Sequence, residues 1–327
     1  MPVSNPVVSS ETLAAAVRAH FAKTYDATYR APRAMLEKVM EFGVPAKART
    51  ETYAYYESAD YPEYWPYGET IPQGSFHSVS YTVTCRRYGK RISWNEDDRK
   101  DDQTRSLMNR VRDLATHFGT LDERAFFDLL LGTTNVLPIG SSHTAPDGAS
   151  YFATTAAGAN RFGVSSGNLL TGTGTTVATI ITDYYSAIAQ FLLMKDTKGE
   201  PLHDTSLIDQ GLCFLYGAAY TENVERAFLG QIVQGTQAGI SNIVRDAARK
   251  VQLWGSSRIT TNDFYVFLTA DPLRSTAQIE LEAMQTDDAT RANSDFARNR
   301  GEEYFQAYAR RGWVINLPYT AIAINNT

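Results

Sequence analysis

From Ser10 the apolar residues Leu13, Val17, Phe21 and Tyr25 recur every four positions, with Arg18 and Lys23 outside the stripe. That spacing predicts a helix capped by Ser10. Pro32 suits the first position of a second, short helix with Met35, Leu36, Val39 and Met40 as its stripe, ended by Gly43 and Pro45. The two helices read as an N-terminal arm, residues 1–50. The period then changes. Val79, Tyr81, Val83 and Cys85 alternate with Ser80, Thr82 and Thr84, the period-2 pattern of a strand with one packed face. Before them Tyr53, Tyr55, Tyr56, Tyr61, Tyr64, Trp65 and Tyr67 are interspersed with Pro62, Pro66 and Pro72, which forbid a helix. Thr50 to Cys85 is therefore predicted as a long two-stranded projection.

Helical spacing returns at Leu107, Val111, Leu114, Phe118, Leu121 and Ala125, preceded by Asp97, Asp98, Asp101 and Asp102, whose charges favour a helix start. Gly119 should bend this helix, and Thr120 with Glu123 offers a capping box for a restart that ends at Leu131 before Gly132. One long bent helix or two in tandem fit. Thr133 to Thr176 reads as loops with short strands, Asp183 to Lys195 as a helix, Asp196 to Leu202 as a turn. Leu212 to Tyr216 is a short buried strand, Glu222 to Val233 a helix led by Thr221, and Phe264 to Leu268 a strand. The tail, from Trp313 to Ile324 around Pro318, reads as a final strand pair. Helices and strands mix without regular alternation and without an internal repeat, so the fold class is α+β. A length of 327 residues gives about two domains, or one with insertions.

Charge sharpens the picture at one place. Thr50 to Cys85 contains no Lys or Arg, while Glu51, Glu57, Asp60, Glu63 and Glu69 make it acidic; Arg86, Arg87, Lys90 and Arg91 follow at once. An acidic, aromatic projection beside a basic strand suits contact between copies of the chain. Overall, 31 Lys and Arg against 36 Asp and Glu give a net charge of -5, which argues against tight binding of a polyanion by one subunit. Cys85 and Cys213 form at most one bridge and no redox or metal motif, consistent with a reducing compartment. The N-terminus lacks a signal-peptide pattern, and the uncharged stretch from Phe162 to Thr182 is too rich in Gly, Ser and Thr to span a membrane.

Candidate chemistry is sparse. Gly163 to Gly167 matches G-x-S-x-G, the basis of an alternative reading as a serine hydrolase using Ser165, but the pattern needs an apolar strand before it and a helix after it. Gly172-Thr173-Gly174 starts a dinucleotide fingerprint whose third glycine is replaced by Val177. The four aspartates could hold a hard cation, yet Arg99 and Lys100 lie among them. His20, His77, His117, His143 and His203 are scattered. No cofactor or metal is expected. The tyrosines could also form a carbohydrate-binding platform, as in a tail-type structural protein, but protein contact is the reading they favour.

Several phrases occur together: SYTVTCRRYGKRISWNEDDRKDDQT from Ser80 to Thr104, ERAFFDLLLG, DGASYFATTAAGANRFG, DTKGEPL and GWVINLP. In this order they resemble the Mu-type (Mu-like prophage) major head subunit family, tailed-phage major capsid proteins with the Hong-Kong-97-type fold. The resemblance implies an N-terminal arm (1–50), an E-loop (51–95), a P-domain with a spine helix (96–178), an A-domain (179–261) and returning P-domain strands (262–327). It implies a structural protein, not an enzyme, that self-assembles into hexamers and pentamers of an icosahedral shell around double-stranded DNA, in a virion put together in the bacterial cytoplasm. Scaffolding, portal and cement proteins would be its other partners. The E-loop would lie across a neighbouring subunit. Some members of the wider fold weld subunits through an E-loop lysine; here Lys90 sits at the loop base, so no such cross-link is expected.

Overall fold

The computed structural model describes residues 10–58, 64–67, 70–71, 77–95, 106–132, 144–230, 232–233, 240–241, 250–270, 272, 274–290 and 294–326. The Asp97 to Asp102 cluster and residues 133–143 lie outside them. Helix α1 (Ser10–Leu36) is followed by strands β1 (Met40–Pro45), β2 (Thr50–Ser58), β3 (His77–Thr84) and β4 (Arg86–Asn95), then helices α2 (Ser106–Gly119) and α3 (Leu121–Leu131). A small hairpin, β5 (Thr155–Ala156) and β6 (Ala159–Asn160), precedes β7 (Leu169–Thr171), α4 (Val177–Leu193), α5 (Thr205–Gln210), β8 (Leu212–Gly217) and α6 (Thr221–Leu229). The remainder is β9 (Ile232–Val233), β10 (Ile240–Ser241), β11 (Val251–Ser256), β12 (Phe264–Leu268), β13 (Thr276–Ala289), α7 (Asp295–Arg300), β14 (Glu302–Ile315) and β15 (Ala321–Asn325).

The N-terminal segment departs from the expected pair of helices. α1 continues through Pro32 to Leu36, and the residues assigned to the end of a second helix form β1 instead. Met40 is buried and the strand then alternates, Phe42 and Val44 facing in while Glu41, Gly43 and Pro45 face out, a period-2 pattern hidden beneath the helical spacing of Met35 to Met40. β1 pairs parallel with β13. α1 lies along α2, with Phe21 packed against Phe118 at 6.5 Å and Phe305 at 5.2 Å between ring centroids. Gly119 makes this approach possible: a Cβ there would meet Thr28 Cβ at 2.8 Å and the Tyr29 backbone nitrogen at 3.1 Å.

The helix break at Gly119 is real, but its chemistry differs from the expected capping box. The Thr120 hydroxyl donates back to the Thr116 carbonyl at 3.1 Å and makes no cap bond, while Glu123 pairs with Arg258 at 3.4 Å. Gly132, left-handed at φ 63°, closes α3 as the sequence indicated.

Two sheets carry the structure. The first has the order β1-β13-β14-β4 and the second β11-β8-β12-β15-β7. β14 and β15 therefore do not pair with each other, contrary to the expected terminal strand pair; the Pro318 to Thr320 turn carries the chain from one sheet to the other. Buried Asn168 fixes that crossing by donating to the carbonyls of Pro318 at 3.0 Å and Ala321 at 3.2 Å. The second sheet is apolar on both faces. Cys213, Leu215, Phe267, Ala321 and Ala323 join the main core around α1, α2 and α3, whereas Phe214, Tyr216, Phe264, Val266, Ile322 and Ile324 pack beneath α4 and α6. That two-sided burial explains why β8 reads as an unbroken apolar run. The sheet draws β7, then β8 and β11, then β12 and β15 from three stretches of the sequence. α4 starts at Val177, earlier than expected, because Thr176 and Thr179 form a capping box.

At the edge of the second core, buried His203 holds its Nε2 3.0 Å from the Tyr319 carbonyl. That nitrogen must donate, leaving Nδ1 as an acceptor with no partner among the described residues. Burial lowers the His203 pKa below its ordinary 6.5, against the raising effect of the Tyr319 bond and Asp204. The neutral ring's contribution is complete above pH 6.5 and is lost as pH falls through the lowered folded-state value. The urea midpoint of the wild type should therefore drop more between pH 7 and pH 5 than that of His203→Gln; equal drops would show that His203 carries no pH dependence. Gly119→Ala should cost about 1–3 kcal/mol by forcing α1 off α2, measured by urea unfolding.

Candidate inter-subunit surfaces

The predicted projection forms as a hairpin. Among the described residues β2 and β3 pair only with each other, in a register running from Thr50↔Thr84 to Ser58↔His77. Val83 and Cys85, each at most 2% exposed, seat its root against Ala277, Ile279 and Val314 in a small core of their own. One turn outward, Tyr53 stacks on Tyr81 at 5.9 Å and its hydroxyl donates to Glu51 at 2.8 Å. Hydrogen bonds from the Lys47 backbone N–H and from Tyr53 hold the Glu51 carboxyl below the usual range. Between β2 and β3 the described residues carry exposed apolar surface: Tyr64 is 88% exposed, Trp65 53%, and Tyr67 and Ile71 are exposed as well. Tyr55, Tyr56 and Glu57 lie in β2; their side chains, and Asp60, Tyr61, Glu63 and Glu69, are outside the described residues.

The basic residues all fall on β4, which ends the first sheet and pairs antiparallel with β14. Strand alternation divides them. Arg87 and Arg91 share a face with Tyr304, Gln306, Tyr308 and Arg310 of β14, whereas Arg86 and Lys90 fall on the face that holds Tyr88 and Arg311. Arg87 lies over the Tyr308 ring at 4.7 Å and Arg91 over Tyr304 at 4.0 Å. Arg91 also donates twice to Gln306, at 3.2 and 3.0 Å. Gly89 opposite Tyr308 leaves a notch; a Cβ there would come within 3.1 Å of Tyr308 Cβ. The β14 aromatics were missed in the sequence reading, although Tyr304, Gln306, Tyr308 and Arg310 alternate visibly with Phe305, Ala307 and Ala309.

The inner face of β14 is locked by ions. Arg311 and Asp122, 3% and 2% exposed at their side chains, pair at 3.0 Å. Trp313 Nε1 donates to the other Asp122 oxygen at 3.0 Å, and Arg311 also reaches Glu280 at 3.2 Å and the Tyr25 hydroxyl at 3.5 Å. Burial pushes the Asp122 carboxyl up, with the Arg311 charge and the Trp313 N–H opposing it. Burial likewise pushes the Tyr29 hydroxyl up to about 12. One pair thus ties α3, β14, β13 and α1 together and fixes the sheet that presents β4.

The other motifs are structural in form. Ser165 sits exposed in a turn between a short 3-10 segment and β7, with neither the strand nor the helix of a nucleophile elbow around it. Thr173, through its N–H and hydroxyl, clasps the buried Asp183 carboxylate at 2.8–3.1 Å. Cys85 and Cys213 are free and buried, and burial raises the Cys213 thiol to about 12. Among the described residues there is no group of three metal-ligating side chains, and no helix long and apolar enough to cross a membrane.

No protein-family model and no curated protein sequence matches the chain. Solved structures do. The capsid of an empty GTA particle computed with C5 symmetry superposes with a TM-score of 0.56 at 9% identity, covering 89% of this chain and 89% of that one. The asymmetric unit of the bacteriophage PhiM1 mature capsid gives 0.55 at 9%, covering 89% and 86%, and the capsid of the cyanophage P-SCSP1u gives 0.53 at 10%, covering 89% and 88%. At such identities the likeness is one of fold: this chain has the α+β, Hong-Kong-97-type fold of tailed-phage major capsid proteins.

Asp122→Ala should cost about 3–5 kcal/mol in urea unfolding, since it removes the fully buried partner of Arg311 and leaves the part-exposed Glu280 beside that charge; a loss below 1 kcal/mol would mean that the pair does not hold the sheet.

Proposed function

We propose that the chain is the major capsid (head) protein of a tailed bacteriophage, of the Mu type, and that it assembles into hexamers and pentamers of an icosahedral shell enclosing double-stranded DNA. The observation that carries this reading is the match of nearly nine-tenths of the chain to capsid subunits. The hairpin supports it: its outer part carries the exposed aromatic side chains Tyr64 and Tyr67 and the half-exposed Trp65. The protein acts by association, not by catalysis, and stable contacts of this kind bury about 1,200–2,000 Å² or more. Tyr53 to Tyr67 with Glu57, Asp60, Glu63 and Glu69, and the basic residues of β4, are its contact candidates. In this reading β2 and β3 are the E-loop of 51–95, α2 and α3 the spine helix of a P-domain over 96–178, 179–261 the A-domain, and 262–327 returning strands. Scaffolding, portal and cement proteins are its further partners, and the virion, assembled in the bacterial cytoplasm, is its location. The mild net acidity suits a container that encloses DNA without clamping it.

Sedimentation of the purified chain, with negative-stain imaging of the fast fraction, should reveal shells, rings or capsomers. A sharp monomer under every salt and scaffold condition would count against the proposal. Deleting Tyr55 to Gly74 should leave a folded subunit that forms no stable shell; shells of normal size and stability would show that the hairpin is not the contact.

A further inference from the structure

Segments distant in the sequence meet around a cavity of about 410 Å³, at the low end of the roughly 300–1,000 Å³ typical of small-molecule sites. They are the hairpin of β5 and β6 with the residues that follow it, the turn after α4, and Tyr319 from the crossing between the two sheets. The backbone is strained at this place. Among the described residues Ala157 and Phe162 are the two non-glycine positions with a left-handed backbone, at φ 49° and 54°, and both line the cavity.

Each wall is pinned by hydrogen bonds. Buried Arg161 donates to Asp147 at 2.7 and 3.0 Å and, through Nη1, to the Ser150 and Tyr151 carbonyls and Asn168 Oδ1 at 2.9 Å. The Lys195 backbone N–H donates to the Phe162 carbonyl at 2.9 Å and so joins the second wall to the first. Asp196 Oδ1 accepts from the Lys198 and Glu200 backbone N–H groups at 2.9 Å and shapes the turn, while His203 holds the Tyr319 carbonyl at 3.0 Å. Walls fixed in this way spare a ligand the cost of ordering them.

The lining defines the ligand. Phe162 and Tyr319 meet edge to face at 6.2 Å, and with Leu202, Ala157 and Ala159 they make an apolar, aromatic wall. Charge comes from one group. Arg161 and Asp147 neutralise each other and Asp196 commits Oδ1 to its own turn, whereas exposed Lys195 makes no ion pair among the described residues. We infer that this cavity binds a small aromatic anion, one or two rings bearing a single carboxylate, with the rings against Phe162 and Tyr319 and the carboxylate on the Lys195 ammonium. Such a ligand bridges the hairpin, the turn and the sheet crossing, so its binding stabilises the subunit by mass action.

Isothermal titration calorimetry of the full-length chain with naphthalene-2-carboxylate, and with the uncharged naphthalene-2-carboxamide of nearly the same shape, tests this. The carboxylate should bind about tenfold or more tightly than the carboxamide. Lys195→Gln should remove that preference, and Ala159→Trp should weaken both ligands about tenfold or more by filling the cavity. Circular dichroism checks that each variant folds, and Thr197→Trp, on the opposite wall, should act like Ala159→Trp if the latter does not fold. Trp65→Ser, on the exposed apolar surface between β2 and β3, should bind like the wild type. No binding by the wild type, equal affinity for the two ligands, a preference that survives Lys195→Gln, or binding lost in Trp65→Ser would each overturn the inference.

Discussion

The Arg311 and Asp122 pair is the constraint on which the rest of the architecture turns. Two charges taken out of water are costly unless each finds a full set of partners. Here the partners come from four elements: Asp122 at the start of α3, Arg311 and Trp313 on β14, Glu280 on β13 and Tyr25 on α1. In this arrangement of those elements both ions are satisfied at once. Apolar packing alone would tolerate sliding between α3 and the sheet; the ion pair does not, because a shift of one residue would leave a buried charge without its mate.

From that fixed point the molecule extends in two directions. Toward α4 and α6, the two-faced sheet shares strands between the main core and the second core, so the two halves are coupled through side chains on opposite faces of the same strands. Toward β4, the first sheet passes from fully buried residues at Trp313 to Ile315 to the alternating, half-covered stretch from Tyr304 to Arg310. The same strand is core at one end and surface at the other, and this gives the stacked Arg87–Tyr308 and Arg91–Tyr304 pairs a rigid base.

Much of this was legible in the sequence where one physical pattern dominated. The alternation from Tyr81 to Cys85, the apolar run of β8 and the stop at Gly132 each had a single reading. The readings failed where two patterns overlapped. Met35 to Met40 carried helical spacing, yet Met40 to Pro45 also alternated, and pairing with β13 decided for the strand. Thr120 and Glu123 had the right spacing for a capping box, but the hydroxyl found the preceding turn and the carboxylate found Arg258. Charge showed the hairpin and the basic strand, whereas the β14 tyrosines, visible as an alternating run, could not be placed beside Arg87 and Arg91 because cross-strand register is not written in local spacing.

The root of the hairpin is held by five buried side chains that belong to neither large core, Val83, Cys85, Ala277, Ile279 and Val314. Stability is not uniform across a structure, and an element with its own small cluster opens at the free energy of that cluster, well below that of global unfolding. Surface buried on a neighbour adds to such an element's order by mass action. If the hairpin is the contact proposed above, its ordering becomes a function of protein concentration, and hydrogen exchange along β2 and β3 would gauge how many subunits have found each other.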